Sequence, residues 1–218
     1  MNHILKNIQI TFIRHGTTEY NIQERVQGNI DIPLSKKGLD DINTVKLKKT
    51  NYDLYYHSPL SRSKDTLFGI LLNHHLLLDE TKIYENEYIT ERGYGIFEGL
   101  TKKEIQEKHP DLFNEWMINE NVQHETIESI EHLMERIETF ISKLISYQYE
   151  NILAVTHSGF LYALYKFVTD QPLHLKPHEM DISFPNCCLV ELHVNVFHNH
   201  IEFHLKIQDK EFYKKITH

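Results

Sequence analysis

Cysteine is nearly absent from this chain: two residues, Cys187 and Cys188, among 218. Neighbours in sequence rarely bond to one another, and two thiols make no disulfide framework, so a reducing compartment is the simpler reading. Long apolar runs are missing too. No stretch reaches the ~20 residues that cross a bilayer, which argues against a membrane partner. The opening residues, MNHILKNIQI, carry one lysine and no sustained apolar core, so they do not read as a signal peptide. Positive charge is in short supply. The 23 Lys and Arg face 31 Asp and Glu, for a formal net charge of −8, the wrong sign for a nucleic-acid partner. Proline, glycine and serine gather into no linker, and nothing repeats. The expectation is a cytoplasmic, soluble domain over 1–218, long enough to enclose a sizeable core.

What is present alternates between two periods. Ile8 to Ile13 reads as a strand, Ser35 can N-cap a helix through about Lys49, and Asp53 to Ser58 is a second strand. A helix over Arg62 to Leu72 and an extended stretch near Leu76 to Tyr84 follow. Leu100 to Asn119 has helical spacing broken at Pro110, and Ile130 to Tyr149 carries a wide apolar stripe. NILAVTH, from Asn151 to His157, is a near-continuous apolar run suited to a buried parallel strand, with a helix from Phe160 to Val168 behind it. The tail reads as a hairpin turning near Asn199. This order predicts an α/β three-layer sandwich: a mostly parallel sheet flanked by helices, a small helical cap at about 100–127, and a C-terminal hairpin.

Two of the strands end alike. The first runs into Arg14-His15-Gly16 and the last parallel one into His157-Ser158-Gly159. Carboxyl ends of parallel strands share one rim, where α/β folds bind ligands, and each glycine permits a sharp turn. The second strand adds His57-Ser58-Pro59-Leu60-Ser61-Arg62 to the same rim. Arginine is the scarcer cation, at positions 14, 25, 62, 92 and 136 alone. Three of these places are already marked by strand-end position or motif, where a planar fork can bind oxygens bidentately. Two histidines and two arginines converging on one small space suit a dianionic phosphoryl group.

Arg14-His15-Gly16-x-Thr18 with Asn21, Gly28, Asp31, Pro33-Leu34 and Gly38 resembles the opening signature of the histidine phosphatase superfamily, phosphoglycerate mutase-like branch. Ser58-Pro59-Leu60-x-Arg62, Glu91-Arg92-x-Tyr94-Gly95-x-x-Glu98-Gly99-Leu100, His157-x-Gly159 and Asn186 resemble its later motifs, over about residues 8 to 192. The resemblance implies that His15 becomes a phosphohistidine, that Arg14, Arg62 and His157 hold the phosphoryl oxygens, and that Glu91 is the general acid and base. It implies a substrate pocket of Thr18, Asn21, Gly28, Arg92, Tyr94 and Lys102, and no metal or other cofactor, because side-chain cations replace it. The partner is then a small phosphate ester. Relatives of this fold are often dimers through a sheet edge, so a homodimer stays open.

The chain departs from the family at Ile127-Glu128-Ser129, where Gly-Glu-Ser is frequent, and Glu128 receives no role on this reading. Glu98 reads as structural, Trp116 as cap packing, and the cysteines as strand core. Glu91-Arg92-x-Tyr94 and Lys102 resemble the mutase form, but a mutase's second pair of arginines is lacking. With a short cap, hydrolysis is favoured over a 2,3-bisphosphoglycerate-dependent mutase, and a catalytically silent phosphate-binding member is a third alternative. His198, His200 and His204, evenly spaced with Glu202, form the one other grouping of metal-ligand type, read as a solvated hairpin face.

Overall fold

The computed structural model describes residues 3–76 and 80–217. Strand β1 (Lys6–Arg14) leads through a one-turn helix α1 (Glu19–Ile22) to α2 (Lys36–Ile42), then β2 (Leu54–His57) and α3 (Ser61–Asn73). A short β3 (Ile83–Glu85) precedes α4 (Lys102–Lys108), α5 (Pro110–Ile118) and the long α6 (Ile130–Ser146). The chain closes with β4 (Asn151–Thr156), α7 (Ser158–Thr169) and three strands, β5 (Leu189–Val196), β6 (His200–Ile207) and β7 (Lys210–Thr217). All seven strands form one sheet of order β3-β2-β4-β1-β5-β6-β7. The pairs β3/β2, β2/β4 and β4/β1 are parallel, and β5, β6 and β7 continue the sheet as an antiparallel meander.

The period of two in the strands sorts the core into two layers. Ile8, Ile10 and Phe12 of β1, with Ile152 and Ala154 of β4, pack under α6 and α7. Ile13, Leu153 and Val155 point the other way, onto Ile42 of α2 and Leu67, Ile70 and Leu71 of α3. The stripe on α6 buries Leu133, Ile137, Phe140, Ile141 and Leu144. Burying side chains of this size contributes roughly 1.5–3 kcal/mol each. A third, smaller cluster of Phe97, Ile105, Trp116, Val122 and Ile127 gives the α4–α5 region its own core. Arg25 fastens that region to the first loop by an ion pair with Glu104 at 2.6 Å.

Several expectations shift. Ser35 does cap a helix, its Oγ accepting from Gly38 N, but α2 stops at Ile42 rather than Lys49, where the Asn43 N–H turns back to Asp40 O and Asp41 O. Thr44 Oγ1 then takes the Asp41 carbonyl, diverting the chain into a turn. The long helix ends at Ser146, three residues before Tyr149. Of the extended stretch from Leu76 to Tyr84, residues 77–79 lie outside the described residues, 80–82 form a 3₁₀ turn, and only 83–85 pair as strand. The C-terminal hairpin gains a third strand, β7, whose Lys210, Glu211, Lys214 and Lys215 blunt an exposed edge. Cys187 and Cys188 sit in the turn before β5 rather than in a strand, flanking Arg14 through main-chain hydrogen bonds. Burial pushes their thiols up to about 12 and about 11, which leaves them unreactive. Among the described residues no helix is long and apolar enough to cross a membrane.

Candidate active site

The register of β1 on β4 sets Arg14 opposite Thr156, so His15 and His157 leave the sheet side by side. The His15 N–H donates to Thr156 O at 2.9 Å, and the two imidazole centres stand 5.1 Å apart. His15 Nδ1 lies 2.8 Å from Gly16 O. A carbonyl can only accept, so the proton is on Nδ1 and Nε2 keeps its lone pair. Burial, with Arg14 and Arg62 close by, holds His15 well below its ordinary pKa, and the ring is neutral at physiological pH. His157 is held down in the same way, first by burial and then by Arg62.

Strand β2 ends beside β4 and delivers Ser58, whose Oγ is 2.7 Å from His157 Nε2. The same hydroxyl accepts from Leu60 N at 3.4 Å. His157 Nδ1 is buried and has no partner. Arg62, on the first turn of α3, is fully buried and donates to Ile30 O and Gly28 O, each at 2.8 Å. Gly28 reaches that position with φ of +51°, a conformation suited to glycine. Arg14 donates to Phe184 O at 2.6 Å. The Nε atoms of both arginines are buried without partners.

Glu91 completes the group. One of its oxygens accepts from Arg92 N at 2.9 Å, and the Gly159 N–H also reaches the carboxyl. Burial raises its pKa above the ordinary carboxyl value, against the opposing pull of those amides and of Arg62 and Arg14. Asn186 donates to His15 O at 2.9 Å and to Asn21 Oδ1 at 3.3 Å, tying the late loop to the first.

The sheet and its loops therefore bring Arg14, His15, Arg62, Glu91 and His157 together, with Asn21 and Gly28 against them. Thr18 is turned to a structural bond: it caps α1, and its Oγ1 donates to Gln27 Oε1 at 2.8 Å. Arg92, Tyr94 and Lys102 gather apart, beside Glu91. Arg92 is ion-paired with Glu120 at 3.0 Å and bonded to Glu128 O, and Lys102 Nζ lies 5.9 Å from the centre of the Trp116 ring. Glu98 links the loops by accepting from Asn29 N and Tyr94 N. Two of the tail histidines are occupied, His200 stacked on Phe197 and His204 on Tyr213, and His198 is exposed. No group of three His, Cys, Asp or Glu able to hold a metal ion exists among the described residues.

Glu128, to which the motif comparison gave no role, holds Arg136 with both oxygens at 2.7 and 2.8 Å and accepts from Gly93 N. Arg136 in turn donates to Tyr88 O and Thr90 O. This clamp fixes the backbone on both sides of Glu91. The scarcity of arginine was the one signal in the sequence that could have pointed to it.

A site of this geometry on this fold defines a class. The histidine phosphatase superfamily (branch 1) matches residues 10–204, and the chain belongs to it. It is a phosphatase of that superfamily, of the phosphoglycerate mutase-like fold. The chain is 30% identical over 158 residues to the uncharacterized phosphatase PhoE of Bacillus subtilis (strain 168), spanning 71% of this chain and 74% of that protein. It is 34% identical over 108 residues to the 2,3-bisphosphoglycerate-dependent phosphoglycerate mutase 2 of Lactiplantibacillus plantarum (strain ATCC BAA-793 / NCIMB 8826 / WCFS1), under half of each: 47% and 46%. Among solved structures, YhfR of Bacillus stearothermophilus superposes with a TM-score of 0.74 at 25% identity, over 88% of this chain and 94% of that one.

Proposed function

We propose that the chain hydrolyses small phosphorylated metabolites through a phosphohistidine on His15, with side-chain cations carrying the charge of the transferred group. The observation that carries this reading is the set of buried, unpartnered nitrogens around His15: Arg14 Nε, Arg62 Nε and His157 Nδ1. Neither arginine has an ion-pair partner among the described residues. Glu91 is the carboxylate whose charge acts most strongly on both. Two buried guanidinium groups against one carboxyl leave excess positive charge, which a phosphoryl dianion would neutralise.

In the first half-reaction His15 Nε2 attacks phosphorus in line, and the bond from phosphorus to the ester oxygen breaks. Protonated Glu91 gives its proton to the departing alkoxide. In the second, Glu91 takes a proton from water as the water oxygen attacks phosphorus. The N–P bond breaks and its electron pair returns to Nε2. Arg14, Arg62 and His157 stabilise the oxygens in both transition states.

A mutase reading keeps one specific support, the likeness to phosphoglycerate mutases through Glu91-Arg92-x-Tyr94 and Lys102. A phosphorus NMR time course in chelator, with 3-phosphoglycerate and a sugar phosphate, separates the readings. Inorganic phosphate should grow in with the wild type and vanish with His15→Ala. Release unchanged by that substitution would refute the assignment and fit a silent site. A 2-phosphoglycerate signal dependent on added 2,3-bisphosphoglycerate would make the protein a mutase.

A further inference from the structure

Helix α3 carries Arg62 on its first turn, yet the residue ahead of it cannot cap it. Leu60 stands at the N-cap position and has no side-chain acceptor to offer, so the leading N–H groups of α3 need partners from elsewhere. One partner lies 30 residues upstream. Asp31 Oδ1 accepts from Ser61 N and from Ser61 Oγ, each at 2.7 Å. The return bonds come from Arg62, whose Nη1 and Nη2 donate to Ile30 O and Gly28 O. The loop over 28–31 and the first turn of α3 are thus stitched together from both sides, while Arg62 Nε stays buried and unpartnered. Glu98 holds the same loop from its far end by accepting from Asn29 N. Asp31 itself is exposed.

We infer that Asp31 is a positioning residue for the phosphoryl group: it caps α3 from a distant loop and so fixes the Arg62 guanidinium with its Nε free. An ordinary cap steadies a helix and nothing more. Here the capped turn carries the guanidinium, and the loop that supplies the cap also supplies the guanidinium's own acceptors. Without the carboxylate, water takes its place on Ser61, the turn and the loop are free to part, and Nε keeps its charge but loses its place. Geometry is the active ingredient, because the charge of Asp31 works against an incoming dianion. That charge does reach Arg62: burial lowers the pKa of the guanidinium, and Glu91 and then Asp31 oppose the shift. The inference rests on the reading of Arg62 as a phosphoryl ligand and adds to it a residue that touches no substrate.

The test is the Kd of inorganic phosphate by titration calorimetry, with kcat/KM for p-nitrophenyl phosphate alongside. Asp31→Ala should weaken phosphate by about tenfold, the low end for a hydrogen bond to a charged group, and lower kcat/KM at least as far. Asp31→Asn keeps the acceptor and drops the charge, so it should bind phosphate as tightly as the wild type or more so. Ser61→Pro cuts both bonds from the helix side. Proline suits the first position of a helix, and Leu60, at φ −76° and ψ 134°, already has the backbone that precedes proline. This variant should hold its Tm and still lose about tenfold in phosphate affinity, a split that a merely stabilising cap would not give; it also decides the matter if Asp31→Ala fails to fold. In an Arg62→Met background, Asp31→Ala should cost about threefold or less, since the group it positions is gone. Full affinity in Ser61→Pro, a loss in Asp31→Asn as large as that in Asp31→Ala, or a further tenfold loss on top of Arg62→Met overturns the inference. Phosphate binding that depends on Asp31 in a protein that turns over no ester would keep the inference and sink the phosphatase reading; a wild type that binds no phosphate sinks both.

Discussion

Gly159→Ala separates the roles of the reaction centre with a single methyl group. A Cβ built at Gly159 would overlap Glu91 Oε1 and stand 3.3 Å from Glu91 Cδ and 3.2 Å from Arg92 Cβ. The oxygen is the far end of a side chain, whereas Gly159 lies in the first turn of α7, so the carboxyl moves and the helix stays. Relief takes a shift of about 1 Å, and a misplacement of that size can cost ~10²-fold in rate. Stability should change little, because alanine is favoured over glycine in a helix by about 1 kcal/mol, which offsets part of the strain. The loss should depend on the leaving group. An alkoxide such as that of glycerol 1-phosphate needs the proton from Glu91, and its kcat/KM should fall by about 10²-fold, the low end for general acid catalysis. Nitrophenolate leaves without a proton, so p-nitrophenyl phosphate should lose about threefold or less by the same reasoning. The proper readout is kcat/KM, which reports formation of the phosphohistidine and not its hydrolysis. Equal losses on both esters, or no loss on the alkyl ester, would show that Glu91 is not the proton donor.

The pH profile of kcat/KM for an alkyl ester should be a bell. Its acid limb lies below the usual histidine range, because the depressed pKa of His15 keeps the nucleophile neutral to lower pH; its alkaline limb lies above the usual carboxyl range, because Glu91 holds its proton longer. A rate that climbs steadily into alkaline pH contradicts this assignment. Glu128→Gln and Arg136→Met should each lower kcat on an alkyl ester by about tenfold, and the double variant should lose little more, since both remove one clamp; losses that multiply would mean the two act separately. Phe140→Ala should destabilise the fold by about 3–5 kcal/mol in urea unfolding while leaving KM for p-nitrophenyl phosphate unaltered. That side chain packs on Phe12 and Tyr56 beneath the sheet, away from the reaction centre.

How much of this was legible beforehand follows from the range of the physics involved. His15 and His157 could be paired from the sequence because a parallel strand has one carboxyl end, and two such strands ending in histidine and glycine must meet at one rim. Periods of two and 3.6 residues are local, and they gave both core layers and the stripe on α6. What escaped was set by distant partners or by solvent. Strand β7 was missed because charge dominates it, and charge is what an exposed edge requires. Helix α2 was drawn too long because the apolar pattern continues past Ile42, while the turn that ends it is made by the backbone N–H of Asn43 and the side-chain hydroxyl of Thr44. Glu128 looked idle because its function is to seize Arg136 two turns along α6 and, through it, the carbonyls of residues 88 and 90. Lys176, which lines a recess around Trp116 with Tyr94 and Lys102, left no mark at all: a lysine in an irregular segment has the composition of a solvated loop, and only its burial against Trp116 distinguishes it. The candidate reaction centre is therefore written in motifs at strand ends, whereas the recess around Trp116 is built from segments without periodicity. For this fold, that division places the candidate reaction centre on the rigid sheet and leaves its surroundings to loops that can change without disturbing it.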